Sequence, residues 1–347
     1  MREIIIVSND KFFLKKKKFF NSNKNTFTII NCFNKFKKIY LIARISKKNL
    51  KFGENIKNIQ IVSFFEIFRI KNQIKNKEVL IISLTPYNFL ISFLLIIIGV
   101  DRKNMYLFLR SDGFYEYSIN FGIIGKLIYG IMLNFLKKRL NILTCSTSLT
   151  HIHKSKLIYP SEITNQWLNN RKIQNKKKSL KKKIKLMYLG RLRKEKGYND
   201  LLELFNQLKI KASLSIVGND FKYLKKKDYP KNTNIKIFGQ VSSLKRLIKY
   251  YDNSDIFILP SYSEAYPQVI LESFSRLKPV IIFNEIKFLK KNFSYGLFNC
   301  DRNIKSFEKT IKKIIENYKY IQSNILKIKI HTQKNFQTQM YNIIKKK

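Results

Sequence analysis

The chain has 347 residues, 45% of them hydrophobic, which is enough for two domains with cores of their own and excludes an intrinsically disordered protein. Lysines and arginines number 69 against 22 acidic residues, a formal net charge of +47. Most of these cations are lysines that accompany abundant Asn, Ile, Phe and Tyr, so we attribute much of the excess to composition. The charge favours an anionic membrane or anionic substrates as partners over nucleic acid.

The N-terminal region begins with an apolar run, Ile4 to Val7, which predicts a buried strand and shows no signal-peptide pattern. A polar loop is expected where this strand ends, at Ser8, Asn9 and Asp10. Segment 11–20, KFFLKKKKFF, has two interpretations, either an amphipathic surface helix or a grip for an acidic or lipid-linked substrate at a membrane surface.

Further apolar runs predict strands at residues 39–45, 59–62, 79–83 and 105–109, with helices between some of them. Strands that alternate with helices indicate a parallel sheet with right-handed crossovers. The apolar run at 89–100 is shorter than the ~20 residues of a membrane span and predicts either a buried helix or a helix that dips into the membrane, of which we favour the buried helix. Arg110, Ser111, Asp112 and Gly113 follow a strand end, where they are either site residues or a plain Asp-Gly turn.

The histidines and cysteines do not suggest a metal centre. His151 and His153 lack a third ligand in the sequence nearby and are interpreted as solvated loop residues. The three cysteines, at positions 32, 145 and 300, are far apart and odd in number, which fits neither a metal cluster nor a disulfide framework. We therefore expect no metal and a reducing cytoplasm.

A polar stretch that ends in NKKKSLKKKIK predicts an extended linker over residues 166–183. The strand after it runs into Gly190, which permits a tight turn, and then into Arg191 and Lys196 before a helix. Two cations and a helix N-terminus on one loop form an anion site suited to a diphosphate. The alternative is an ordinary basic surface loop in a lysine-rich chain.

The stretch 255–280 is the most informative part of the sequence. Its apolar run from Ile256 to Leu259 is typical of a strand buried on both faces of a parallel sheet. Ser263 is placed to cap a following helix, with Glu264 beside the free N–H groups. Glu272 follows eight positions later, so on a helix the two carboxylates would lie ~12 Å apart, which suits the ends of an elongated ligand. Solvated helix faces also carry such pairs by chance.

The ordered motifs of the second domain resemble the retaining nucleotide-sugar glycosyltransferases of family 4. The resemblance runs through GRLRKEKG, SIVGND, IFGQV, SDIFILPSYSEAYPQVILES and KPVI, nearly end to end in the second domain. The first domain matches only in outline, through an opening strand, TCST and YPSEI. The resemblance implies an α/β protein of the GT-B fold, with two Rossmann-like domains whose parallel sheets face across a cleft and a C-terminal helix that crosses back to the first domain.

The resemblance also implies roles for individual residues. Arg191 and Lys196 would hold the donor's diphosphate and stabilise the leaving group. Glu264 would contact the donor sugar, and Glu272 would accept hydrogen bonds from the ribose hydroxyls. The remaining donor contacts would come from the loop at Ala265, Tyr266 and Gln268 and from the backbone between Gly239 and Val241. Transfer in this family retains the anomeric configuration and normally needs no metal, so we expect no cofactor beyond the nucleotide-sugar substrate.

Several positions depart from the family pattern. Ser8, Asn9 and Asp10 replace the usual glycine-rich loop, and Arg110, Ser111 and Asp112 occupy the place of a first-domain histidine that contacts the donor sugar. We therefore take Asn9, Asp10, Arg110 and Asp112 as acceptor-side candidates. Leu277 stands where a glycine usually precedes Lys-Pro, and Asn284 and Glu285 replace a Gly-Gly loop. We expect activity with altered specificity.

The sequence therefore predicts a first domain at 1–165, a linker at 166–183, a nucleotide-sugar-binding domain at 184–328 and a C-terminal helix at 329–347 that packs on the first domain. It predicts a cytoplasmic enzyme, peripheral at the inner membrane face, that transfers a sugar to a glycan or lipid-linked acceptor for a surface polysaccharide or lipopolysaccharide. The alternative is an inactive GT-B scaffold that binds an anionic membrane or nucleic acid.

Overall fold

The computed structural model describes residues 2–345 apart from 16–17, 22, 49, 51, 57, 147–154, 174–181, 220–231 and 294. His151, His153 and most of the predicted linker therefore lie outside the described residues. The chain divides into two compact units, Met1–Glu162 with Thr332–Lys347, and Ile163–His331. The structure differs from the predicted start of the linker, because Trp167 is 2% exposed in the core of the second unit.

The first unit is built on a mostly parallel sheet. Its described strands are β1 (Glu3–Lys15), β2 (Lys18–Asn21), β3 (Lys38–Ile45), β4 (Phe52–Glu54), β5 (Ile59–Val62), β6 (Glu78–Ile82), β7 (Met105–Leu109), β8 (Asn141–Thr144) and β9 (Lys156–Leu157). The main order is β4-β2-β1-β6-β7-β8-β9, and β3 pairs with β1 and β5. Only β2 pairs antiparallel with its neighbours among these described strands. The strands predicted between residues 39 and 109 are all present.

Helices of the first unit pack on this sheet. They are α1 (Lys24–Ile30), α2 (Glu66–Arg69), α3 (Lys71–Ile74), α4 (Pro86–Ile97) and α5 (Gly113–Lys137). Strand residues such as Ile5 and Leu107 form one buried cluster with Ile67, Ile91 and Leu133, so α2, α4 and α5 share one face of the sheet. Helices α4 and α5 are only partly covered on their outer sides.

The second unit has a parallel six-stranded sheet in its described residues. The strands are β10 (Ile184–Arg191), β11 (Ala212–Asn219), β12 (Ile235–Phe238), β13 (Ile256–Leu259), β14 (Val280–Phe283) and β15 (Leu297–Cys300), in the order β12-β11-β10-β13-β14-β15. Its helices are α6 (Asn165–Leu168), α7 (Tyr198–Asn206), α8 (Leu244–Asp252), α9 (Gln268–Ser275), α10 (Ile304–Glu316) and α11 (Tyr318–Lys327). Because all these strands are parallel, their carboxyl ends meet at one edge.

The last helix, α12 (Gln333–Lys345), belongs to the first unit although it follows the second in the chain. The ring of Phe336 lies 6.4 Å from Phe108 of β7, and Tyr341 lies 5.8 Å from Phe36. The side-chain amide of Gln339 donates to the carbonyl of Leu157 at 3.1 Å. These contacts cover part of the first unit's core.

Two sequence predictions in the first unit are wrong. Asn9 and Asp10 are not in a loop, because β1 continues to Lys15 past a register shift between Val7 and Lys11. Segment 11–20 is not an amphipathic helix, because its described residues pair as an antiparallel hairpin of β1 and β2. Burial alternates along β2, as expected for a strand, since Phe19 and Asn21 are buried while Phe20 between them is only partly buried.

Helices α4 and α5 also differ from the expectation. The predicted buried helix, α4, buries Ile91 and Leu95 but leaves Leu90, Phe93 and Ile97 exposed. Helix α5 has no counterpart in the sequence prediction. Among the described residues it is the one helix long and apolar enough, by length and composition, to cross a membrane.

Candidate active site

The carboxyl edge of the second sheet brings together most of the predicted donor-site residues. β10 and β11 end side by side, with Gly190 opposite Gly218 and Arg191 opposite Asn219. A Cβ added at Gly218 would overlap the carbonyl of Gly190, so the close approach of these two strand ends requires glycine there. Tyr188, buried beneath this edge, donates from its hydroxyl to the carbonyl of Arg191 at 2.6 Å. The start of the cationic loop is thereby fixed.

Both predicted phosphate-binding cations lie where β10 ends, Arg191 as the last residue of the strand and Lys196 in the loop that follows. Arg191 is exposed, and its guanidinium makes no hydrogen bond or ion pair with another described residue. A 3-10 helix, Lys194–Lys196, then ends at Gly197 with φ 64, a left-handed conformation that favours glycine. A Cβ on Gly197 would overlap the carbonyl oxygen of Pro260, at the end of β13. The cationic loop therefore lies directly on the β13 loop.

Lys196 and Glu264 form an ion pair between these two loops. The Nζ of Lys196 lies 2.7 Å from Oε1 of Glu264, and the hydroxyl of Ser261 donates to the same oxygen at 2.7 Å. Both side chains are partly buried, with 20% and 14% of their surface exposed. The backbone N–H of Tyr262 also donates to the carbonyl of Glu195 at 3.1 Å. The pairing places a cation and a carboxylate together at the strand edge, where ligands of parallel sheets bind.

Glu272 lies in α9, and the predicted helix start is wrong. The helix begins at Gln268 with Pro267 at its N-cap, so Ser263 does not cap it and Glu264 precedes it. The two glutamates therefore do not share a helix face. The hydroxyl of Tyr251 donates to Oε2 of Glu272 at 2.7 Å.

Tyr251 connects Glu272 to the core of the second unit. Burial, followed by the neighbouring charge of Glu272, raises the pKa of Tyr251 well above its ordinary value, so the phenol remains a neutral donor. Its ring lies 5.5 Å from that of Trp167. The carboxylate is thus oriented by a fully buried side chain.

The remaining donor candidates follow the same edge. Gly239, just after β12, is exposed with open space around its Cα, and Val241 packs partly against the core. Ala265 is buried, whereas the ring of Tyr266 lies 5.3 Å from Phe293. Gln268 is the first residue of α9. Gly239 and Val241 thus lie on the loop after β12, and Ala265 and Tyr266 lie on the loop after β13.

The acceptor-side candidates lie in the first unit. Arg110 follows β7, and its Nε donates to the hydroxyl of Ser83 at 3.0 Å. Burial lowers the pKa of Arg110, and the nearby charge of Asp10 opposes that effect. Asp10 also accepts a hydrogen bond from the hydroxyl of Thr26.

Asn9 and Asp112 have structural partners. The carbonyl of Asn9 accepts from Nε of Arg44 at 2.9 Å. Asp112 caps α5, where its carboxylate accepts from the backbone N–H of Tyr115 at 3.3 Å. Capping explains Asp112 without any ligand. The described residues contain no group of three or more His, Cys, Asp or Glu placed to share a metal ion.

Comparison with known proteins identifies the fold. Residues 169–327 match the family model of glycosyl transferases group 1. HepE of Anabaena in complex with UDP and glucose resembles the chain with a TM-score of 0.68 and 12% sequence identity over 100% of both chains. WaaG, a glycosyltransferase involved in lipopolysaccharide biosynthesis, resembles it with a TM-score of 0.67 and 12% identity over 99% of both chains. Sucrose-phosphate synthase of Thermosynechococcus elongatus resembles it with a TM-score of 0.71 and 11% identity over 100% of this chain and 99% of the synthase. The chain has the GT-B fold.

Two curated relatives match part of the GT-B chain. An uncharacterized glycosyltransferase of Haemophilus influenzae is 26% identical over 201 residues, which cover 54% of this chain and 56% of the relative. An uncharacterized 41.2 kDa protein in the cps region of Klebsiella pneumoniae is 27% identical over 143 residues, which cover 40% and 38%. The chain thus spans about half the length or less of these relatives. The family match lies within the second unit, and the likeness to the solved structures shows the GT-B fold.

One residue of this GT-B site was missed by the sequence analysis. Arg302 donates to the carbonyl of Pro260 at 3.0 and 3.1 Å and to carboxylate oxygens of Asp200 and Glu285 at 3.0 and 2.9 Å. Its guanidinium also lies 4.0 Å from the ring centroid of Tyr262. Arg302 therefore ties the β13 loop to α7 and to the chain after β14. Its position just beyond β15, at the same carboxyl edge, is the signal that could have revealed it.

Proposed function

We propose that the protein is a retaining glycosyltransferase that moves a hexose-type sugar from a nucleotide-sugar donor to a glycan or lipid-linked acceptor. The acceptor belongs to the synthesis of a cell-surface polysaccharide or lipopolysaccharide, at the inner face of the cytoplasmic membrane. The proposal is supported by the family match over residues 169–327 and by two similar proteins, WaaG, which is involved in lipopolysaccharide biosynthesis, and a protein in the cps region of Klebsiella pneumoniae. HepE, a structural neighbour, binds UDP and glucose.

The observation that carries the proposal is the pair of cations at the carboxyl edge of the second sheet. Arg191 is the last residue of β10 and Lys196 lies on the loop that leads from it into α7, where Lys196 is held 2.7 Å from Glu264. When a glycosyl bond to a nucleoside diphosphate breaks, negative charge grows on the departing phosphate oxygens. Cations fixed there in advance stabilise this charge without a reorganisation cost during the reaction.

The ion pair also indicates a role for Glu264, which is to position Lys196. The carboxylate of Glu264 holds the Lys196 ammonium in place, and the hydroxyl of Ser261 donates to the same carboxylate oxygen and so positions it. A bound diphosphate supplies a second anionic partner on the loop side, while the second oxygen of Glu264 stays available to a sugar hydroxyl. Glu272, oriented by Tyr251, would accept from the ribose hydroxyls at the other end of the donor.

Donor binding tests the proposal first. We would measure thermal unfolding of the wild type with UDP, GDP, ADP, CMP and their sugar conjugates, and of the variants Arg191→Ala and Glu272→Ala. A ligand that binds only the folded state raises the melting temperature by mass action, so one nucleotide class should stabilise the wild type and neither variant. Lys194→Ala is the matched control, because Lys194 is an exposed lysine of the same 3-10 helix.

Turnover is tested with the stabilising sugar conjugate. Lys196→Ala should lower kcat for donor turnover about 10²–10³-fold, the usual effect of removing one group that stabilises transition-state charge, and Lys194→Ala should not. The anomeric configuration of the product decides whether transfer is retaining. If no nucleotide stabilises the wild type while anionic lipid or nucleic acid does, the inactive scaffold replaces this proposal.

A further inference from the structure

Helix α5 is a helical hairpin. Its Gly122 has φ 64 and ψ −151, outside the helical region, and divides it into arms 113–121 and 123–137. The rings of Phe114 and Tyr117 lie 5.0 and 5.2 Å from the ring of Tyr129. In a straight helix, residues 114 and 129 would be ~22 Å apart. The second arm has therefore turned back along the first, with Gly122 at the tip.

The hairpin is too short to cross a bilayer. Its first arm, at 1.5 Å per residue, is ~13 Å long, whereas the hydrocarbon core of a bilayer is ~30 Å thick. By length and composition α5 would suit a membrane span, but its residues are divided between two antiparallel arms. A hairpin of this length can enter a bilayer from one side only, to the depth reached by interfacial helices.

The tip of the hairpin exposes large apolar side chains. Phe121, Ile123, Ile124 and Leu127 are 61 to 78% exposed, and seven consecutive residues from 118 to 124 are exposed. The neighbouring α4 adds exposed Leu90, Phe93 and Ile97, and Phe93 lies 5.7 Å from Phe135 at the base of the second arm. Exposed apolar side chains in such a group mark an interaction surface.

Charge decides what covers this surface. The chain carries a formal net charge of +47, and Lys126 is an exposed cation beside the tip. A second copy of the chain would bring the same positive charge, which repels it. Nucleic acid would match the charge but offers no apolar interior for Phe121 and Ile124. An anionic bilayer supplies both an attracting surface and an apolar layer beneath it.

We propose that the hairpin tip, residues 119–127, inserts into the interfacial layer of an anionic lipid bilayer and docks the first unit on the membrane. The hairpin begins one residue after Asp112, so docking brings the Arg110 loop near the bilayer surface. This placement suits the lipid-linked acceptor proposed above. The docking itself needs neither donor nor acceptor, so its failure and the failure of glycosyl transfer are distinguishable.

Vesicle binding by the full chain tests the docking surface. The wild type should sediment with vesicles of phosphatidylcholine and phosphatidylglycerol, and much less with phosphatidylcholine alone. The combined variant Phe121→Ser, Ile124→Ser and Leu127→Ser should bind the anionic vesicles at least tenfold more weakly. The matched control replaces three exposed apolar residues of the second unit, Tyr295→Ser, Tyr320→Ser and Leu326→Ser, and should bind like the wild type.

Site-specific labelling shows whether the tip itself enters the lipid. Cys32, Cys145 and Cys300 are buried, so an added surface cysteine can be labelled selectively. An environment-sensitive fluorophore on Ile124→Cys should brighten and shift to the blue with anionic vesicles, while the same label on Tyr320→Cys should not change. The proposal is overturned if the wild type does not sediment, if the tip variant binds as well as the wild type, or if the label at 124 stays in water while the protein binds.

Discussion

Gly197 shows how a single residue sets the geometry of the candidate donor site. Its φ of 64 and its contact with the Pro260 carbonyl leave no room for a side chain. Gly197→Ala should therefore lower the free energy of unfolding by about 2 kcal/mol or more and should displace the Lys196 loop. Gly239→Ala is the control, because Gly239 has open space and a negative φ, and it should change stability by under about 0.5 kcal/mol. Urea unfolding measures both, and equal effects would contradict the steric account.

Tyr251 should matter to donor binding through Glu272. Tyr251→Phe removes the hydroxyl that donates to the carboxylate, so it should cost about 1 kcal/mol of stability and weaken nucleotide binding without abolishing it. Urea unfolding and nucleotide titration measure the two effects. Tyr250→Phe is the control, since Tyr250 is the neighbouring tyrosine of α8 with its ring 4.8 Å from Phe238. Unchanged nucleotide affinity in Tyr251→Phe would remove Glu272 from the donor site.

Acid should destabilise the protein in part through His331. Burial lowers the pKa of His331 in the folded state, so the unfolded chain binds the proton more readily. Stability is therefore expected to fall as the pH drops below about 6.5, the ordinary histidine value. The loss between pH 7 and pH 5.5 should be smaller in His331→Gln when both are followed by urea unfolding. An identical pH dependence in the variant would show that other groups dominate this range.

Some residues of the site could be predicted because strand ends and loop chemistry are local. Arg191, Lys196 and Glu264 follow strand ends, and the structure brings Lys196 and Glu264 together. The capping role of Ser263 was wrong because the chain stays irregular until Pro267. No sequence motif predicts Arg302, since its hydrogen-bond partners come from three separate segments of the chain. Leu277 has φ 56, a left-handed backbone that explains why glycine is usual at its position and that no pattern of one sequence reveals.

At the scale of elements, the hydrophobic periodicity and the extent of burial decided which strands and helices could be predicted. In the second sheet, β10 and β13 were predicted, and β13 has the predicted bounds because it is a short apolar run buried on both faces, whereas β15 was not predicted. The hairpin of β1 and β2 was not predicted because the lysine run at 15–18 interrupts the alternation of apolar and polar residues that indicates a strand. The hairpin in α5 was missed because its apolar residues extend all round, so they give no helical face that points to a core.

Helix α12 should be required for the stability of the first unit. Phe336 is 1% exposed and packs on Phe108, so Phe336→Ala should cost about 3–5 kcal/mol. Tyr320→Ala, at a site 71% exposed in α11, is the control and should change the free energy of unfolding by under about 0.5 kcal/mol. Urea unfolding compares them. A small effect of Phe336→Ala would mean that the first unit does not depend on this helix.

At the scale of the whole molecule, donor and membrane should act on different parts of the chain. The stabilising nucleotide should slow amide hydrogen exchange in the loops at 191–197 and 260–268 of the second unit and leave residues 119–127 unchanged. Anionic vesicles should slow exchange at 119–127. Exchange followed by mass spectrometry separates the two effects. Nucleotide protection confined to the first unit would contradict the donor site described above.

Trp167 is the only tryptophan of the chain and is almost completely buried. It stacks edge-on against Tyr251, whose hydroxyl binds the carboxylate of Glu272. The protein therefore has a natural optical probe one side chain away from the residue expected to hold the ribose. Selective excitation of this indole should report nucleotide arrival in real time, without a label, and give association and dissociation rates for the unmodified protein.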